Sequence, residues 1–269
     1  MAAIKVGVVG CAGRMGRLNL SAIQATEGCE IAGGTEHPES KWVDRNIGEL
    51  VGTGPLGIAI SSDPEVMFPR VDVVIDFSRP EASLAHAAAA ARHKTALVLG
   101  TTGFDVDQQE QIARAAESTA IMQAANMSLG VNLLLGLVEQ AARILNPDYD
   151  IEILEMHHRH KVDAPSGTAL AFGRAAAAGR GVDLDQVAER VRDGYTGERQ
   201  RGDIGFATLR GGDVAGEHSV ILAGVGESIE LTHKAGSREI FVRGALKATL
   251  WLAGREPGLY TMKDVLGLA

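Results

Sequence analysis

The stretch VGVVGCAGRMGRLNL, residues 6–20, joins a β-branched run to a sequence typical of a helix. Gly10, Gly13 and Gly16 stand between the two, in the spacing GxxGxxG. Glycines at these positions let the backbone turn sharply after a strand and approach a diphosphate at the helix N-terminus. A tight turn that binds nothing would use the same residues, so the glycines alone leave both interpretations open.

An acidic residue downstream favours a dinucleotide site. Glu36 lies 20 residues after Gly16, at the end of the next apolar run. A carboxylate at that place can accept hydrogen bonds from the adenine-side ribose of a dinucleotide. Arg14, inside the glycine loop, is either a phosphate contact or a solvated side chain. With a strand before the loop and a helix after it, the pattern predicts a Rossmann-type fold.

The first half of the chain repeats this alternation. Apolar runs at 4–9, 29–33, 71–77, 95–99 and 120–123 are separated by helical patterns at 17–26, 81–93 and 107–118. Strands alternating with helices predict a parallel sheet with helices on both faces. GTTGF (100–104) and AANM (124–127) follow the later strands, so they are either further cofactor loops at the same sheet edge or plain turns.

The pattern changes after residue 128. A long apolar helix is predicted at 132–145, followed by strands at 151–158, 204–210, 217–223 and 228–234 with glycine turns between the last three. Strands so close together predict a mixed or antiparallel sheet in a second α+β domain. Ser237 is a plausible N-cap for a helix at 238–253, which we expect to return to the first domain. The predicted domains are therefore 1–128 plus 238–269, and 129–237.

The stretch HHRHKVDAPSGTA, residues 157–169, places five basic or titratable side chains together in an acidic chain. The stretch has no helical i, i+4 pair of histidines and no nearby cysteine to complete a ligand set, so we expect no metal site here. A solvated basic loop is the ordinary alternative. The residues that follow favour an anion site, because Ser166 or Thr168 can cap a helix whose first N–H groups, at Gly167 and Thr168, suit a carboxylate. Histidine and lysine beside that turn supply a proton near neutral pH.

Overall charge and composition exclude several classes of partner. The net charge of −8 and pI of about 5.5 argue against nucleic acid and against anionic membranes. No apolar run approaches the roughly 18 residues of a membrane span. Cys11 and Cys29 form no CxxC pair, which fits a reducing cytoplasm.

Five motifs together give the chain a recognisable resemblance over nearly its whole length. They are GCAGRMG (10–16), GTTGF (100–104), AANMSLGVN (124–132), EMHHRHKVDAPSGTA (155–169) and THKAGSREIF (232–241). They resemble the 4-hydroxy-tetrahydrodipicolinate reductases, also called dihydrodipicolinate reductases, of diaminopimelate and lysine synthesis. The histidine motif is highly specific, whereas the glycine loop is not.

The resemblance implies reduction of a cyclic unsaturated imine dicarboxylate to tetrahydrodipicolinate by NADH or NADPH, in a cytoplasmic homotetramer. It implies that the second domain binds substrate and forms the oligomer. It implies that His157 is a proton donor or acceptor, that Lys161 is a proton donor, and that His158, Gly167 and Thr168 hold a substrate carboxylate. The implied cofactor contacts are Gly10, Cys11, Ala12, Gly13, Arg14, Met15, Glu36, Gly100, Thr101, Thr102, Ala124, Ala125, Asn126 and Met127.

Two positions depart from the family pattern. His37 stands where some members carry an arginine for the 2′-phosphate of NADPH, and Met127 stands where an aromatic residue is common. The alternatives are another two-domain dehydrogenase of amino-acid metabolism, such as one that acts on an amino-acid semialdehyde through a cysteine nucleophile, and a redox sensor that binds NAD(P) without turnover. Neither is favoured, because no cysteine is placed as a nucleophile and no basic nucleic-acid module is present.

Overall fold

The structure is a computed structural model that describes residues 2–268. Its strands are β1 (Ile4–Val9), β2 (Cys29–Thr35), β3 (Val73–Asp76), β4 (Ala96–Leu99), β5 (Ala120–Gln123), β6 (Asp150–His157), β7 (Ala188–Glu189), β8 (Ile204–Arg210), β9 (Glu217–Ala223), β10 (Ser228–Lys234) and β11 (Gly258–Tyr260). Its helices are α1 (Arg14–Gln24), α2 (Pro64–Met67), α3 (Pro80–His93), α4 (Val106–Ala116), α5 (Leu129–Leu145), α6 (Gly167–Arg180), α7 (Leu184–Val187), α8 (Glu239–Leu252) and α9 (Met262–Leu266). Short 3-10 turns lie at Ile47–Leu50, Phe68–Arg70 and Asn146–Asp148.

The chain divides into two compact units. One contains the residues up to Ser128 and those from Glu239 onward, and the other is Leu129–Arg238. The dinucleotide and substrate roles that the sequence assigns to these units remain predictions. Within residues 2–268, no helix combines the length and the apolar character needed to cross a bilayer.

The first unit is built on a parallel sheet. Its strand order within the described residues is β11-β5-β4-β3-β1-β2, and every neighbouring pair is parallel. The chain adds β2 on one side of β1 and β3 on the other, so the order reverses beside β1. An open α/β sheet binds its ligands at such a reversal, outside the carboxyl ends of the strands. The predicted α/β class is confirmed.

Burial explains why these strands read as continuous apolar runs. All four residues of β3 and all four of β4 are buried, as expected for a sheet covered by helices on both faces. Helix α1 buries Gly16, Leu20 and Ile23, which recur at helical spacing along one face. The core between sheet and helices is closed by Phe68, which is fully buried, and by the alanine-rich face of α3.

The second unit contains a mixed sheet covered on one face by two helices. The strand order is β10-β9-β6-β8-β7, in which β8 runs parallel to β6 and to β7, while β9 runs antiparallel to β6 and β10. The mixed sheet predicted for this half is therefore confirmed. Helices α5 and α6 pack on its inner face around Val138, Ile153, Phe172, Val220 and Leu222.

Several predicted boundaries were wrong. Helix α1 begins at Arg14 rather than at residue 17, because the extended Gly13 serves as its N-cap. Strand β2 continues to Thr35, because that residue pairs with Val9. Strand β11 was not predicted, because three residues are too few to show a hydrophobic alternation. Its pairing with β5 makes it a strand.

Candidate functional site

A cleft of about 900 Å³ opens in the first unit at the carboxyl ends of β1 and β3. This is the place where the strand order reverses, so its position follows from the topology. Its walls contain the predicted residues Gly10, Ala12, Gly13, Arg14, Met15 and Glu36. They also contain His37, which the family pattern places near the 2′-phosphate, and residues that the sequence did not suggest: Trp42, Phe77, Ser78, Arg79 and His86.

Close packing explains the glycines of the loop. Gly10 has a φ of +59°, in the left-handed region that favours glycine. A Cβ on Gly16 would stand 2.2 Å from the carbonyl oxygen of Gly10, so the first turn of α1 lies directly against the loop. The Gly13 N–H donates to the same carbonyl at 3.0 Å. A side chain at Gly16 would therefore push the start of α1 away from the loop, and the two together form the N-terminus that can approach a diphosphate.

Glu36 lies at the end of β2 and reaches back to the glycine loop. Its Oε1 accepts a hydrogen bond from the Ala12 N–H at 2.7 Å. The carboxylate therefore lies beside the loop that would hold the diphosphate, where a ribose would lie. Trp42 lies in the same wall, with the Arg17 guanidinium carbon 4.9 Å from its ring centroid. Nothing in the sequence linked Trp42 to this loop, because only the fold brings residues 17 and 42 together.

Cys11 differs from the other predicted loop residues. Its side chain is fully buried, and burial, together with the nearby Glu36 carboxylate, raises the pKa of its thiol to about 12. The thiol is therefore neutral and unreactive at ordinary pH. Its backbone N–H donates to the Thr35 carbonyl at 3.1 Å and Cys11 does not line the cleft, so its contact with a cofactor remains a prediction.

The loops after β4 and β5 lie at the predicted sheet edge but do not line the cleft. The residues concerned are Gly100, Thr101, Thr102, Ala124, Ala125, Asn126 and Met127. Thr101 is buried, and its hydroxyl accepts a hydrogen bond from Ser83 at 2.8 Å. Met127 is 1% exposed, so its side chain is part of the core of this unit. Contact between these loops and a cofactor remains a prediction.

A buried acid stands below the cleft, at the end of β3. Asp76 is fully buried, and its carboxylate lies 2.9 Å from Nδ1 of His86 and 2.7 Å from the Ser78 N–H. Burial raises the pKa of Asp76, but these hydrogen bonds outweigh it and hold the pKa below its usual value. Because Ser78 and His86 line the cleft, Asp76 fixes two residues of its wall.

The second unit places a polar cluster at the end of β6. His157 is 8% exposed, and its Nδ1 lies 2.5 Å from Oε2 of Glu155. Glu155 is 1% exposed and is bridged by both terminal nitrogens of Arg210, at 2.8 and 2.9 Å. Burial raises the pKa of Glu155, but the hydrogen bonds from Arg210, His157 and the Ser166 N–H hold it below its usual value. The carboxylate is therefore charged at neutral pH.

The turn at residues 164–168 begins helix α6, and of the two predicted N-caps, Thr168 and Ser166, the structure uses Ser166. Its Oγ accepts from the Ala169 N–H at 3.1 Å. Gly167 and Thr168 are the first two helical residues, so their N–H groups belong to the end of a helix that attracts anions. The Ala164–Pro165 peptide bond is cis.

Lys161 and the other basic residues lie in the loop before this turn. The ammonium nitrogen of Lys161 lies 2.8 Å from Oδ1 of Asp163, and this hydrogen bond lowers the pKa of that carboxyl. The His158 N–H donates to the Val214 carbonyl at 2.8 Å, which ties the loop to the chain before β9. The ring centroids of His158 and His160 are 6.3 Å apart. In residues 2–268, no group of three or more histidine, cysteine or acidic side chains could hold a metal ion.

His218 is a member of the cluster that the sequence did not suggest. It is 5% exposed on β9, with its Nε2 2.9 Å from the Ser166 Oγ and its ring centroid 5.0 Å from that of His157. Burial, reinforced by the nearby His157, lowers the pKa of His218 to about 4. The ring is therefore neutral in the folded protein at neutral pH.

The pKa of His218 predicts acid sensitivity. An unfolded histidine takes up its proton near pH 6.5, whereas His218 resists it until about pH 4, so the unfolded state binds more protons in this window. We expect the free energy of unfolding to fall as pH decreases from 6.5 to 4, by an amount on the order of 3 kcal/mol from this residue. Urea unfolding at pH 7.5, 6.5, 5.5 and 4.5 measures it. The His218→Gln variant should show a flatter dependence, and equal slopes would contradict the assignment.

Comparison with known proteins finds the same family for both units. A model of the N-terminal part of dihydrodipicolinate reductases matches residues 4–127, and a model of their C-terminal part matches residues 130–266. The 4-hydroxy-tetrahydrodipicolinate reductase of Brucella abortus is 54% identical over 262 residues, which cover 97% of this chain and 98% of that protein. The corresponding protein of Rhizobium rhizogenes is 53% identical over 268 residues, covering 99% and 98%.

Solved structures share the fold. A dipicolinate-bound dihydrodipicolinate reductase from Paenisporosarcina sp. TG-14 has a TM-score of 0.77 at 23% identity, covering 96% of this chain and 97% of that chain. An amine dehydrogenase from Mycobacterium smegmatis has a TM-score of 0.61 at 12% identity, covering 95% and 94%. At these identities the likeness concerns the fold alone.

Proposed function

This chain belongs to the dihydrodipicolinate reductase family, and from that premise we propose how its residues carry out the family's reaction. The protein is an NAD(P)H-dependent oxidoreductase of diaminopimelate and lysine synthesis. It reduces a cyclic unsaturated imine dicarboxylate to tetrahydrodipicolinate. The reaction adds a hydride to one ring carbon and a proton to its neighbour, so the protein has to supply a cofactor site, an anion site and a proton.

The cleft of the first unit fits a nicotinamide dinucleotide, which supplies the hydride when bound. The diphosphate would lie on Gly10–Arg14 at the start of α1, and the missing side chain at Gly16 lets α1 pack directly against that loop. The ribose next to adenine would donate to the Glu36 carboxylate, which already lies beside the Ala12 N–H. These contacts would explain why glycines and an acid occur at this spacing.

The second unit would hold the substrate and supply the proton. One carboxylate would accept hydrogen bonds from the N–H groups of Gly167 and Thr168 at the start of α6, assisted by His158. Lys161 would donate the proton, since its ammonium group is attracted to the substrate carboxylates and can act as a general acid there. His157 would exchange protons with the same site from the end of β6. Asp163, paired with Lys161, would hold its ammonium group until substrate arrives.

The observation that carries these roles is the placement of His157, Lys161 and the N-terminus of α6 within one continuous segment of the second unit. The test is oxidation of NADH or NADPH, followed at 340 nm, on addition of freshly prepared 4-hydroxy-tetrahydrodipicolinate. We expect turnover that depends on both cofactor and imine. Turnover with an amino-acid semialdehyde instead would favour another dehydrogenase, and tight NAD(P)H binding without turnover would favour a redox sensor.

We also propose a cytoplasmic homotetramer assembled through the second unit. Leu154, Met156, Leu209 and Ile221 alternate with the inward residues of their strands, so they share the sheet face that α5 and α6 do not cover. Leu209 is 46% exposed beside these neighbours, and a group of apolar side chains on one uncovered sheet face is typical of an interaction surface. Both cysteines are free thiols, in keeping with a reducing compartment. Sedimentation equilibrium tests the assembly, and a monomer at micromolar concentration would contradict it.

Both cofactors should work, with NADH at least equal to NADPH. The Glu36 carboxylate can accept hydrogen bonds from ribose hydroxyls but repels a 2′-phosphate. His37, the next residue in the chain, lines the same wall and could offset that repulsion when it is charged. The His37→Arg variant adds a permanent cation with a planar donor fork, so we expect the ratio of kcat/KM for NADPH over NADH to rise about tenfold or more. His37→Gln is the matched control and should not raise it. An unchanged ratio in His37→Arg would show that other residues read the phosphate.

A further inference from the structure

We propose that Glu155 is the positioning residue of this site, fixing both the tautomer of His157 and the anion-binding turn at Ser166. The inference rests on the proposed roles of His157 and of that turn. Glu155 is the first residue of the motif at 155–169, but neither that resemblance nor the proton transfer assigns it a role. Glu155 is nevertheless the most buried acid of the second unit, with 1% exposure.

The two carboxylate oxygens of Glu155 have separate partners. Oε2 lies 2.5 Å from Nδ1 of His157 and accepts from Arg210 Nη1 at 2.8 Å. Oε1 accepts from Arg210 Nη2 at 2.9 Å, from the Ser166 N–H at 3.0 Å and, at the longer distance of 3.4 Å, from the Thr208 hydroxyl. One oxygen therefore serves the histidine and the other serves the turn.

This geometry dictates where the proton of His157 lies. A carboxylate is only an acceptor, so the Nδ1 facing it carries the proton, whether the ring is neutral or charged. Nε2 is then the atom that exchanges a proton. It faces the backbone of Gly216, where a Cβ would stand 3.0 Å away, so the absence of a side chain there leaves the ring room. Glu155 thus sets which nitrogen of His157 can act.

Arg210 holds the arrangement together. Besides both oxygens of Glu155, it donates through Nη2 to the Asp163 carbonyl at 2.7 Å. Asp163 is the residue that pairs with Lys161, so one arginine connects the buried acid with the loop of the proposed proton donor. The guanidinium group of arginine presents two parallel N–H donors, and this geometry matches a carboxylate better than that of any other cationic side chain. The rigid pairing leaves Glu155 a single orientation.

The decisive variant is Glu155→Gln, because an amide keeps the shape and loses one acceptor. Oε1 faces three donors and Oε2 faces two, so the amide oxygen should take the Oε1 position and the NH₂ the Oε2 position. The NH₂ would then oppose Nδ1 of His157, which can accept only by releasing its proton. We expect the neutral ring to switch from the Nδ1–H to the Nε2–H tautomer, and kcat to fall by about 10²–10⁴-fold, as when a catalytic histidine loses its orienting acid.

The matched control is Glu152→Gln, three residues earlier on β6. Glu152 is likewise held by arginines, with Arg192 at 2.8 Å on each oxygen and Arg199 at 3.0 Å, but it contacts neither a histidine nor the turn. A merely structural role of a paired acid on this strand would leave the tautomer of His157 unchanged in both variants. We expect Glu152→Gln to keep the wild-type kcat and the wild-type histidine spectrum.

The tautomer is read by long-range ¹H–¹⁵N correlation spectra of the histidine side chains at pH 8.5, with His157→Asn for assignment, and kcat and KM are measured on the same samples. If Glu155→Gln does not fold, the double variant Glu155→Gln/Arg210→Gln removes the counter-charge as well and gives the same readout. An Nε2–H tautomer in the wild type, or Glu155→Gln matching Glu152→Gln in spectrum and kcat, would overturn the inference. The spectra need no substrate, so they test the inference even if the proposed function is wrong. A wild-type protein without turnover would contradict the proposed function.

Discussion

Replacing Lys161 by alanine should abolish most turnover while the fold survives. The Lys161 side chain is 21% exposed, and its ammonium group pairs with Asp163 on the surface loop, so its removal leaves no cavity in the core. A positioned general acid contributes about 10²–10⁴-fold to rate. We therefore expect kcat to fall by that factor, with an unchanged circular dichroism spectrum and NADH affinity. Stopped-flow or steady-state oxidation of NADH measures the rate.

Two further variants separate the proton from the charge. Lys161→Arg keeps a cation but cannot give up its proton, so it should restore KM more than kcat. Arg159→Ala removes an exposed cation from the same loop, and it should leave kcat within about twofold because surface charges at a distance are screened. A folded Lys161→Ala enzyme with near-normal kcat would remove Lys161 from the mechanism.

Replacing Gly16 by alanine should cause the other large loss, in cofactor binding. The new Cβ would stand 2.2 Å from the Gly10 carbonyl oxygen and 2.7 Å from the backbone of Cys11. Backbone cannot rotate away as a side chain can, so the loop and α1 have to separate by roughly 1 Å, a displacement that can cost 10²-fold in a binding or catalytic geometry. We expect the Kd for NADH to rise about tenfold or more. Overpacking should also cost about 1–3 kcal/mol of stability.

The measurement is NADH fluorescence titration, with thermal unfolding as a second readout. Gly236→Ala is the matched control, because a Cβ there meets no atom within 4 Å and its φ lies outside the left-handed region. It should bind NADH as the wild type does. Wild-type affinity in Gly16→Ala would mean that the loop does not approach the diphosphate closely.

Local sequence was sufficient for much of the fold. Runs such as residues 71–77 are β-branched and apolar because strands buried on both faces have no polar side, and this pattern is visible without a structure. Residue type alone narrowed the cap of α6 to Ser166 or Thr168, since a hydroxyl that accepts from the third residue of a helix is a local interaction, and the structure shows Ser166 in that role. Strand β11 was missed because its existence depends on β5, more than 130 residues earlier.

The candidate site divides in the same way. The residues of the glycine loop, the acid at position 36 and the basic motif of residues 157–161 could be found because their chemistry depends on short spacings. Cys11 and Met127 were predicted on equal terms with their neighbours, but the structure buries both side chains. Burial is a property of the packed core, so no local pattern distinguishes a loop residue that faces a ligand from one that faces inward.

The sequence by itself determined the α/β class, the glycine loop and the segment that presents His157, Lys161 and the start of α6. Only the tertiary structure decided what surrounds them. Arg210 lies 55 residues from Glu155, and His218 lies 52 residues from Ser166, yet these pairs meet within 3 Å. The physical reason is that charge state and tautomer depend on desolvation and on partners in space, and strands β8 and β9 bring those partners to β6.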